Sequence, residues 1–136
     1  MTLVDTNVLL DVLTDDPAWL DWSAEHLDRQ AAQGPIIVNE VIYAELSVGF
    51  AGEDGVADAL DELAVEFHRT PVPALFLAGK ACLRYRRAGG TRTGVLPDFF
   101  IGAHAQVTGL PILTRDARRY RAYFPEVEVI APETEV

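Results

Sequence analysis

Short apolar runs recur along the chain, and a polar residue followed by a helix-like segment comes after most of them. Residues 1–5, 35–38 and 111–114 have the apolar character of short buried strands, residues 67–72 are a weaker candidate, and residues 127–130 could add an edge strand. Strands that alternate with amphipathic helices usually form a parallel sheet with helices on both faces. We therefore predict an α/β fold, a three-layer α/β/α sandwich with a central, mostly parallel sheet of four to five strands.

The predicted helices begin and end at residues with known capping preferences. Asp16 followed by Pro17 predicts a helix start, because an acidic N-cap accepts backbone hydrogen bonds and proline fits the first helical position. Asn39 can cap the next helix, and Gly109 can end a later one. A further acidic helix is predicted for residues 53–66. These helices would connect successive strands of the sheet.

The composition indicates one globular domain. The 136 residues are 49% hydrophobic, enough for one compact core, so we expect a single domain over residues 1–136. No apolar run approaches the roughly 18 residues of a membrane-spanning helix, and the N-terminus has no basic segment followed by an apolar signal core. We therefore expect a cytoplasmic protein with no membrane partner. Cys82 is the only cysteine, which excludes an intrachain disulfide and a zinc site built on cysteines.

Charge is strongly segregated along the chain. The net charge is −10, and residues 1–68 contain fifteen acidic residues and a single basic one, Arg29. Residues 80–121 contain nine basic residues and only two acids. Such a basic segment could bind a polyanion locally, since distant charge is screened by salt, or its arginines could lie on ordinary solvated helix faces. The candidates for polyanion binding are Arg84, Arg86, Arg87, Arg92 and Arg115.

Four acidic residues occupy strand ends and helical positions in otherwise apolar surroundings. They are Asp5, Glu45, Asp98 and Asp116. The carboxyl ends of parallel strands meet at one edge of a sheet, so these side chains could converge although they are far apart in sequence. Two carboxylates about 4 Å apart repel by roughly 4 kcal/mol at an effective dielectric constant near 20, so a converged set requires cations or protons. The pattern therefore suggests a metal-dependent phosphodiesterase. Glu40, in the first turn of the same predicted helix, is the alternative to Glu45.

Oxygen ligands determine which metal such a site would bind. Carboxylates and water suit Mg²⁺, and Mn²⁺ accepts the same ligands. A divalent cation can activate water for attack on a phosphodiester and neutralise the charge that develops on the phosphoryl oxygens. No histidine is required, and His104 lies six residues after Asp98, on a different face of a helix. We expect His104 to have a structural or surface role.

Polar neighbours of these acids have two possible roles. Thr6, Asn7 and Thr114 could orient a carboxylate or a metal-bound water, or they could cap the adjacent helices. Arg115 could bind phosphate, or it could pair with a nearby acid.

Four short motifs follow one another along the chain: DTNVLL at residues 5–10, VIYAEL at 41–46, LPDFFIGAHA at 96–105 and LTRD at 113–116. In this order they resemble the motifs of the PIN-domain family, specifically its VapC-type ribonuclease toxins. The resemblance extends over nearly the whole chain and implies an α/β/α sandwich that cleaves single-stranded RNA with Mg²⁺ or Mn²⁺. It also implies that Asp5 and Asp98 are the central metal ligands, with Glu45 and Asp116 acting directly or through water.

The resemblance further implies two protein partners, a cognate antitoxin and a second copy of the chain in a homodimer. The resemblance implies a tRNA or an rRNA as the substrate, and the acidic first half of the chain favours the basic segment as the surface that this RNA would contact. Two alternatives use the same residues. One is a module that binds RNA or an antitoxin without cleavage, and the other is a nuclease of the same fold that acts on DNA.

Overall fold

A five-stranded, entirely parallel sheet forms the centre of the molecule. The computed structural model describes residues 1–132, so the last four residues of the predicted domain lie outside the described part. The strand order is β3-β2-β1-β4-β5, and all four neighbouring pairs are parallel, which confirms the predicted sheet. The strands are β1 (Thr2–Val4), β2 (Ile36–Val38), β3 (Val65–Phe67), β4 (Ile112–Leu113) and β5 (Val129–Ile130).

Helices connect the strands and cover both faces of the sheet. They are α1 (Thr6–Leu13), α2 (Leu20–Ala31), α3 (Glu40–Ser47), α4 (Glu53–Glu62), α5 (Val72–Arg87), α6 (Leu96–Thr108) and α7 (Arg118–Tyr123). From β1 the chain moves outward to β2 and β3, then crosses back to β4 and β5 on the other side. Because parallel crossovers are right-handed, connections that run in opposite directions lie on opposite faces. Helices α1 to α4 therefore cover one face, and α5 to α7 cover the other, as predicted for a three-layer sandwich.

Close packing between α5, α6 and α7 fixes the second helical layer. Small residues of α5, among them Ala74 and Ala78, are fully buried in a cluster with Phe99 of α6. Gly102 of α6 lies against the ring of Phe124, where an added Cβ would be 2.3 Å from a ring carbon. Any larger residue would displace Phe124, since packed interiors leave no room for such a contact. This contact sets the position of α7 beside α6.

The second helix begins later than the sequence predicts. Asp16 does accept hydrogen bonds from the backbone N–H groups of Ala18 and Trp19, both at 2.9 Å. Those bonds close a turn, and α2 itself begins at Leu20. The predicted start at Pro17 is therefore wrong by three residues, because the acid caps a separate turn that precedes the helix. The other capping predictions are confirmed: Asn39 accepts from two N–H groups at the start of α3, and Gly109 ends α6 with φ 71°.

The third strand lies earlier in the chain than predicted. Helix α4 ends at Glu62, Ala64 adopts φ 55°, and the chain then enters β3. Ile36 pairs with Val65 and Val38 with Phe67, so the strand is complete at the point where residues 67–72 were expected to begin it.

Within residues 1–132, no helix is both long enough and apolar enough to cross a membrane.

Candidate metal centre

The four predicted acids line one cavity at the carboxyl edge of the sheet. Asp5 follows β1, Glu45 lies on α3, Asp98 is in the first turn of α6, and Asp116 follows β4. The cavity has a volume of about 450 Å³, and its other lining residues are Thr6, Asn7, Leu10 and Val48. The structure thus brings together four acids that come from four separate segments of the chain.

Asp5 lies at the bottom of this cavity with both carboxylate oxygens engaged. It is the N-cap of α1, and its Oδ1 accepts a 2.8 Å hydrogen bond from the N–H of Thr6. Its Oδ2 accepts from Thr114 Oγ1 at 2.8 Å and from the Tyr120 hydroxyl at 2.9 Å. Burial raises the pKa of Asp5 to about 6, and the nearby charge of Asp98 adds to this effect. The three donors oppose the rise because they stabilise the ionised form.

Glu45 faces the cavity, whereas Glu40 does not. Thr6 Oγ1 donates to Glu45 Oε1 at 2.9 Å, and burial, together with the charge of Asp98, raises the pKa of Glu45. Glu40 instead accepts hydrogen bonds from the backbone and hydroxyl of Thr70, next to β3. Burial alone would raise the pKa of Glu40, but the bonds from Thr70 outweigh it and lower the pKa. Glu45 is therefore the acid of α3 that belongs to this site.

Two arginines of α7 hold the remaining acids in ion pairs. Arg119 donates to Asp98 Oδ2 at 2.9 Å, and both side chains are about 30% exposed. Burial raises the pKa of Asp98 although Arg119 opposes it. Arg118 forms a forked pair with Asp116 at 3.1 Å for each bond, and it lowers the pKa of that carboxyl. This second pair is largely exposed to solvent.

Thr6, Asn7 and Thr114 contact the acids directly or through one another. Asp5 rather than Thr6 or Asn7 caps α1, so the capping alternative does not apply to those two residues. Asn7 donates to Thr114 Oγ1 at 3.3 Å and accepts from the backbone N–H of Arg115 at 3.2 Å. Thr114 also accepts from the N–H of Asp116 at 3.1 Å, but it does not cap α7, whose N-cap is Ala117 without a side-chain hydrogen bond. These bonds fasten the segment after β4 to the start of α1.

Arg115 is engaged by an acid, as its alternative role anticipated. Its Nε and Nη2 donate to the two oxygens of Asp11 at 2.6 and 2.9 Å. Asp11 is only 2% exposed and also accepts from Ser23 Oγ at 2.6 Å. The guanidinium lies 5.2 Å from the centre of the Trp19 ring. Arg115 thus connects the segment after β4 to α1 and α2.

The other arginines proposed to bind a polyanion are exposed. Arg84, Arg86 and Arg87 occupy the last turns of α5, and Arg92 lies in the loop before α6. Arg84 donates to the backbone carbonyl of Tyr123 at 3.2 Å. None of these four arginines is among the described residues that line the cavity, so their role in binding a polyanion stays a prediction.

Two further outcomes concern residues outside the predicted set. His104 is 2% exposed, and its Nδ1 accepts from Asn39 Nδ2 at 3.1 Å, so it has the structural role that was expected. Burial lowers its pKa.

Sequence reasoning missed Tyr120, whose hydroxyl donates a hydrogen bond to Asp5 from the buried face of α7. The available signal was the helical spacing of Ala117, Tyr120 and Phe124, all three of which are buried.

The donor set has the right chemistry for a hard divalent cation, but its oxygens are held apart. Within residues 1–132, no three His, Cys, Asp or Glu side chains are gathered closely enough to hold a metal ion. Thr6 holds Glu45, Arg119 holds Asp98, and Arg118 holds Asp116 in their present orientations. Carboxylate oxygens are nevertheless the ligands that Mg²⁺ and Mn²⁺ prefer. A cation here would therefore replace at least one of these hydrogen bonds.

Comparison with known proteins identifies the family. The PIN-domain profile matches residues 2–125. The fold is similar to VapBC2 from Rickettsia felis bound to a promoter DNA fragment (TM-score 0.75, 17% identity, 97% of this chain and 98% of that chain). It is also similar to VapBC-1 from nontypeable Haemophilus influenzae (TM-score 0.71, 15% identity, 96% of each chain) and to a toxin-antitoxin complex from Klebsiella pneumoniae (TM-score 0.64, 20% identity, 96% of each chain). No curated protein sequence matches significantly. The profile match over nearly the whole length, together with the four motifs and the parallel sheet, shows that this chain belongs to the PIN-domain family.

Proposed function

We propose that this PIN-domain protein is a Mg²⁺-dependent endoribonuclease and the toxin of a toxin–antitoxin pair. The observation that carries the proposal is the single cavity lined by Asp5, Glu45, Asp98 and Asp116. Four carboxylates at one sheet edge are unfavourable without a cation, and a divalent cation is what phosphodiester hydrolysis at neutral pH requires. Membership of the PIN-domain family supports nuclease activity.

Asp5 and Asp98 would hold Mg²⁺ directly, and Glu45 and Asp116 would act directly or through water; Mn²⁺ is expected to substitute. When bound, the cation supplies an activated water and neutralises charge on the phosphoryl oxygens. The protein keeps Asp5 in place through Thr114 and Tyr120, whose hydroxyls both bond to its Oδ2. With a pKa of about 6, Asp5 is mostly ionised at neutral pH and can bind a cation there.

The toxin role is supported by the solved structures of similar fold, which include VapBC proteins and a toxin-antitoxin complex matched over nearly the full length of both chains. A cognate antitoxin is therefore the proposed partner. The homodimer implied by the family resemblance stays a prediction.

Cleavage of RNA by the purified protein tests the nuclease proposal. With Mg²⁺ or Mn²⁺ we expect cleavage of total RNA, and loss of it in a chelator. Asp5→Asn and Asp98→Asn should each lower the rate at least about 100-fold, which corresponds to about 2.7 kcal/mol of transition-state stabilisation. Asp58→Asn is the matched control, since Asp58 is an exposed acid on α4. Full cleavage by the Asp98→Asn protein in chelator would rule the proposal out.

Two other outcomes of the same assay would identify the alternatives. Binding without cleavage across a broad RNA panel with Mn²⁺ would favour a binding module. Faster cleavage of single-stranded or flap DNA than of RNA, in direct competition, would favour a DNA-directed nuclease. Mapping the cleaved ends after brief expression would identify the target, and relief of growth arrest by the product of an adjacent reading frame would support the toxin role.

A further inference from the structure

A second cleft adjoins the metal cavity and shares one wall with it. The cleft has a volume of about 270 Å³ and is lined by α7, by Tyr85 of α5 and by Arg92 of the loop that follows α5. Asp116 lines both the cleft and the metal cavity. A nucleic-acid strand that is bound in the cavity and extends past Asp116 would therefore enter this cleft.

The aromatic wall of the cleft is fixed by packing and by the loop. The ring centroids of Tyr85 and Tyr123 are 6.2 Å apart. Both rings pack against buried Phe99, with centroid distances of 5.5 Å for Tyr85 and 5.1 Å for Tyr123. The Tyr85 hydroxyl accepts a hydrogen bond from the backbone N–H of Arg92 at 3.2 Å. Gly90 lies flat against the Tyr85 ring, where an added Cβ would be 2.4 Å from the ring. The loop that carries Arg92 is thus held to a rigid surface.

The charge of the cleft is opposite to that of the cavity beside it. Three arginines, Arg92, Arg118 and Arg119, line the cleft against one acid, Asp116. The cavity is lined by four acids and no base, so the cleft is the adjacent positive surface for a polyanion.

Two of these arginines are available to a ligand. The Arg92 side chain is exposed and makes no hydrogen bond or ion pair within residues 1–132. Arg118 pairs with Asp116, but its side chain is 91% exposed, and pairs this exposed contribute little to stability. Arg118 can therefore turn to a phosphate, whose oxygens match the fork of a guanidinium. Arg119 is less exposed and remains with Asp98.

We propose that this cleft binds the RNA phosphodiester next to the scissile one, through Arg92 and Arg118. The assignment rests on the proposed nuclease function and adds to it a position for the neighbouring nucleotide. A phosphate bound by Arg118 would also release Asp116 from its ion pair, so that binding of the strand would free an acid of the cavity.

Binding of RNA in a cleavage-deficient background tests this assignment. The probe is a fluorescent, mixed-sequence single-stranded RNA of about 12 nucleotides, bound to the Asp5→Asn protein and measured by anisotropy between about 50 and 200 mM KCl. Adding Arg92→Gln and Arg118→Gln together should raise Kd about tenfold at low salt. Loss of the one phosphate contact that the two arginines share should also reduce the slope of log Kd against log salt by about 0.7.

A matched double variant separates local contact from total charge. Arg29→Gln with Arg69→Gln removes the same two charges at exposed positions outside the cleft, and it should leave Kd and slope nearly unchanged. If the cleft variant behaves like this control, the assignment is wrong. In the cleavage-competent protein, the cleft variant should raise KM more than it lowers kcat. If the wild-type protein cleaves no RNA, the nuclease proposal fails, while the binding result still decides the cleft.

Discussion

At the scale of single residues, Asp5 has two conflicting requirements. It must be buried to join the end of β1 to the start of α1, and it must be ionised to bind a cation. Burial disfavours the charge and raises its pKa to about 6, and three hydrogen-bond donors recover part of the loss. The residue therefore destabilises the folded protein at neutral pH, as acids at functional sites often do.

This cost predicts a pH-dependent gain of stability in Asp5→Asn. The folded pKa of about 6 exceeds the ordinary aspartate value of 3.8, so between these pH values the folded protein binds a proton that the unfolded chain does not. The contribution of Asp5 to stability is full below about pH 4 and is lost as pH rises to about 6. The difference between a pKa of 3.8 and one of about 6 corresponds to about 3 kcal/mol in the free energy of unfolding. In chelator, the free energy of unfolding of Asp5→Asn should exceed that of wild type by more at pH 7 than at pH 4.

Urea unfolding at several pH values measures this difference. Asp58→Asn is the control, because Asp58 is an exposed residue of α4 and its replacement should give a difference near zero at every pH. A gap between wild type and Asp5→Asn that stays constant from pH 4 to pH 7 would contradict the account of Asp5.

Tyr120→Phe tests the role of the second hydroxyl. The substitution keeps the buried ring and removes one donor to Asp5 Oδ2. Loss of a donor to the ionised form raises the pKa of Asp5 further, so the acidic limb of the cleavage pH profile should move to higher pH by about half a unit or more. The free energy of unfolding should fall by about 1 kcal/mol. A pH profile that coincides with that of Tyr43→Phe, a tyrosine outside the cavity, would exclude this role.

At the scale of secondary-structure elements, local patterns predicted what local interactions determine. The apolar runs before Asp5 and Asn39 are strands, and Asn39 and Gly109 cap helices, because each signal depends on residues adjacent in sequence. The predicted start of α2 is wrong because an acid before a proline caps a turn as readily as a helix. The position of β3 depends on pairing with β2, which lies about 30 residues away. Pairing of that kind leaves no local signal.

The same distinction applies to the candidate site. The acids were found because strand ends and helix starts are visible in the sequence. The hydrogen-bond partners of these acids were not found from the sequence. Arg119 contacts Asp98 and Tyr120 contacts Asp5 because α7 is packed against α6, where Phe124 lies against Gly102. The sequence left open whether Arg115 pairs with an acid or with phosphate, and the nearly buried Asp11 on α1 provides the acid.

The ion pair of Arg115 with Asp11 and that of Arg118 with Asp116 should differ in their effect on stability. Arg115→Gln removes the partner of Asp11, which is 2% exposed, and leaves a buried carboxylate with Ser23 alone. We expect the free energy of unfolding to fall by about 2 to 4 kcal/mol. Arg118→Gln breaks an exposed pair and should change it by less than about 1 kcal/mol. Urea unfolding of both variants measures the two changes in the free energy of unfolding. Equal changes would mean that the Arg115 pair, which connects α1, α2 and the segment after β4, stabilises the fold no more than the exposed pair does.

At the scale of the whole molecule, charge and fold act together. The net charge is −10, and the carboxyl edge of the sheet concentrates four acids in one cavity. Burial raises the pKa of three of them, Asp5, Glu45 and Asp98, and repulsion from a neighbouring carboxylate adds to the rise in each case. The arginines of α7 compensate only part of this charge. The folded chain should therefore be stabilised by a divalent cation at this edge.

Mg²⁺ should raise the thermal stability of the whole domain, and the increase should depend on pH. At tenfold excess over its Kd, a ligand that binds only the folded protein adds about 1.4 kcal/mol, or about 5 °C in Tm for a domain of this size. At pH 5 the cation must displace a proton from Asp5, whose pKa is about 6, so affinity should fall about tenfold and the shift to less than about 2 °C. Differential scanning calorimetry with KCl of equal ionic strength as the blank separates binding from screening. Asp58→Asn should keep the shift and Asp98→Asn should lose it; an equal shift in Asp98→Asn would place the cation elsewhere on this acidic protein.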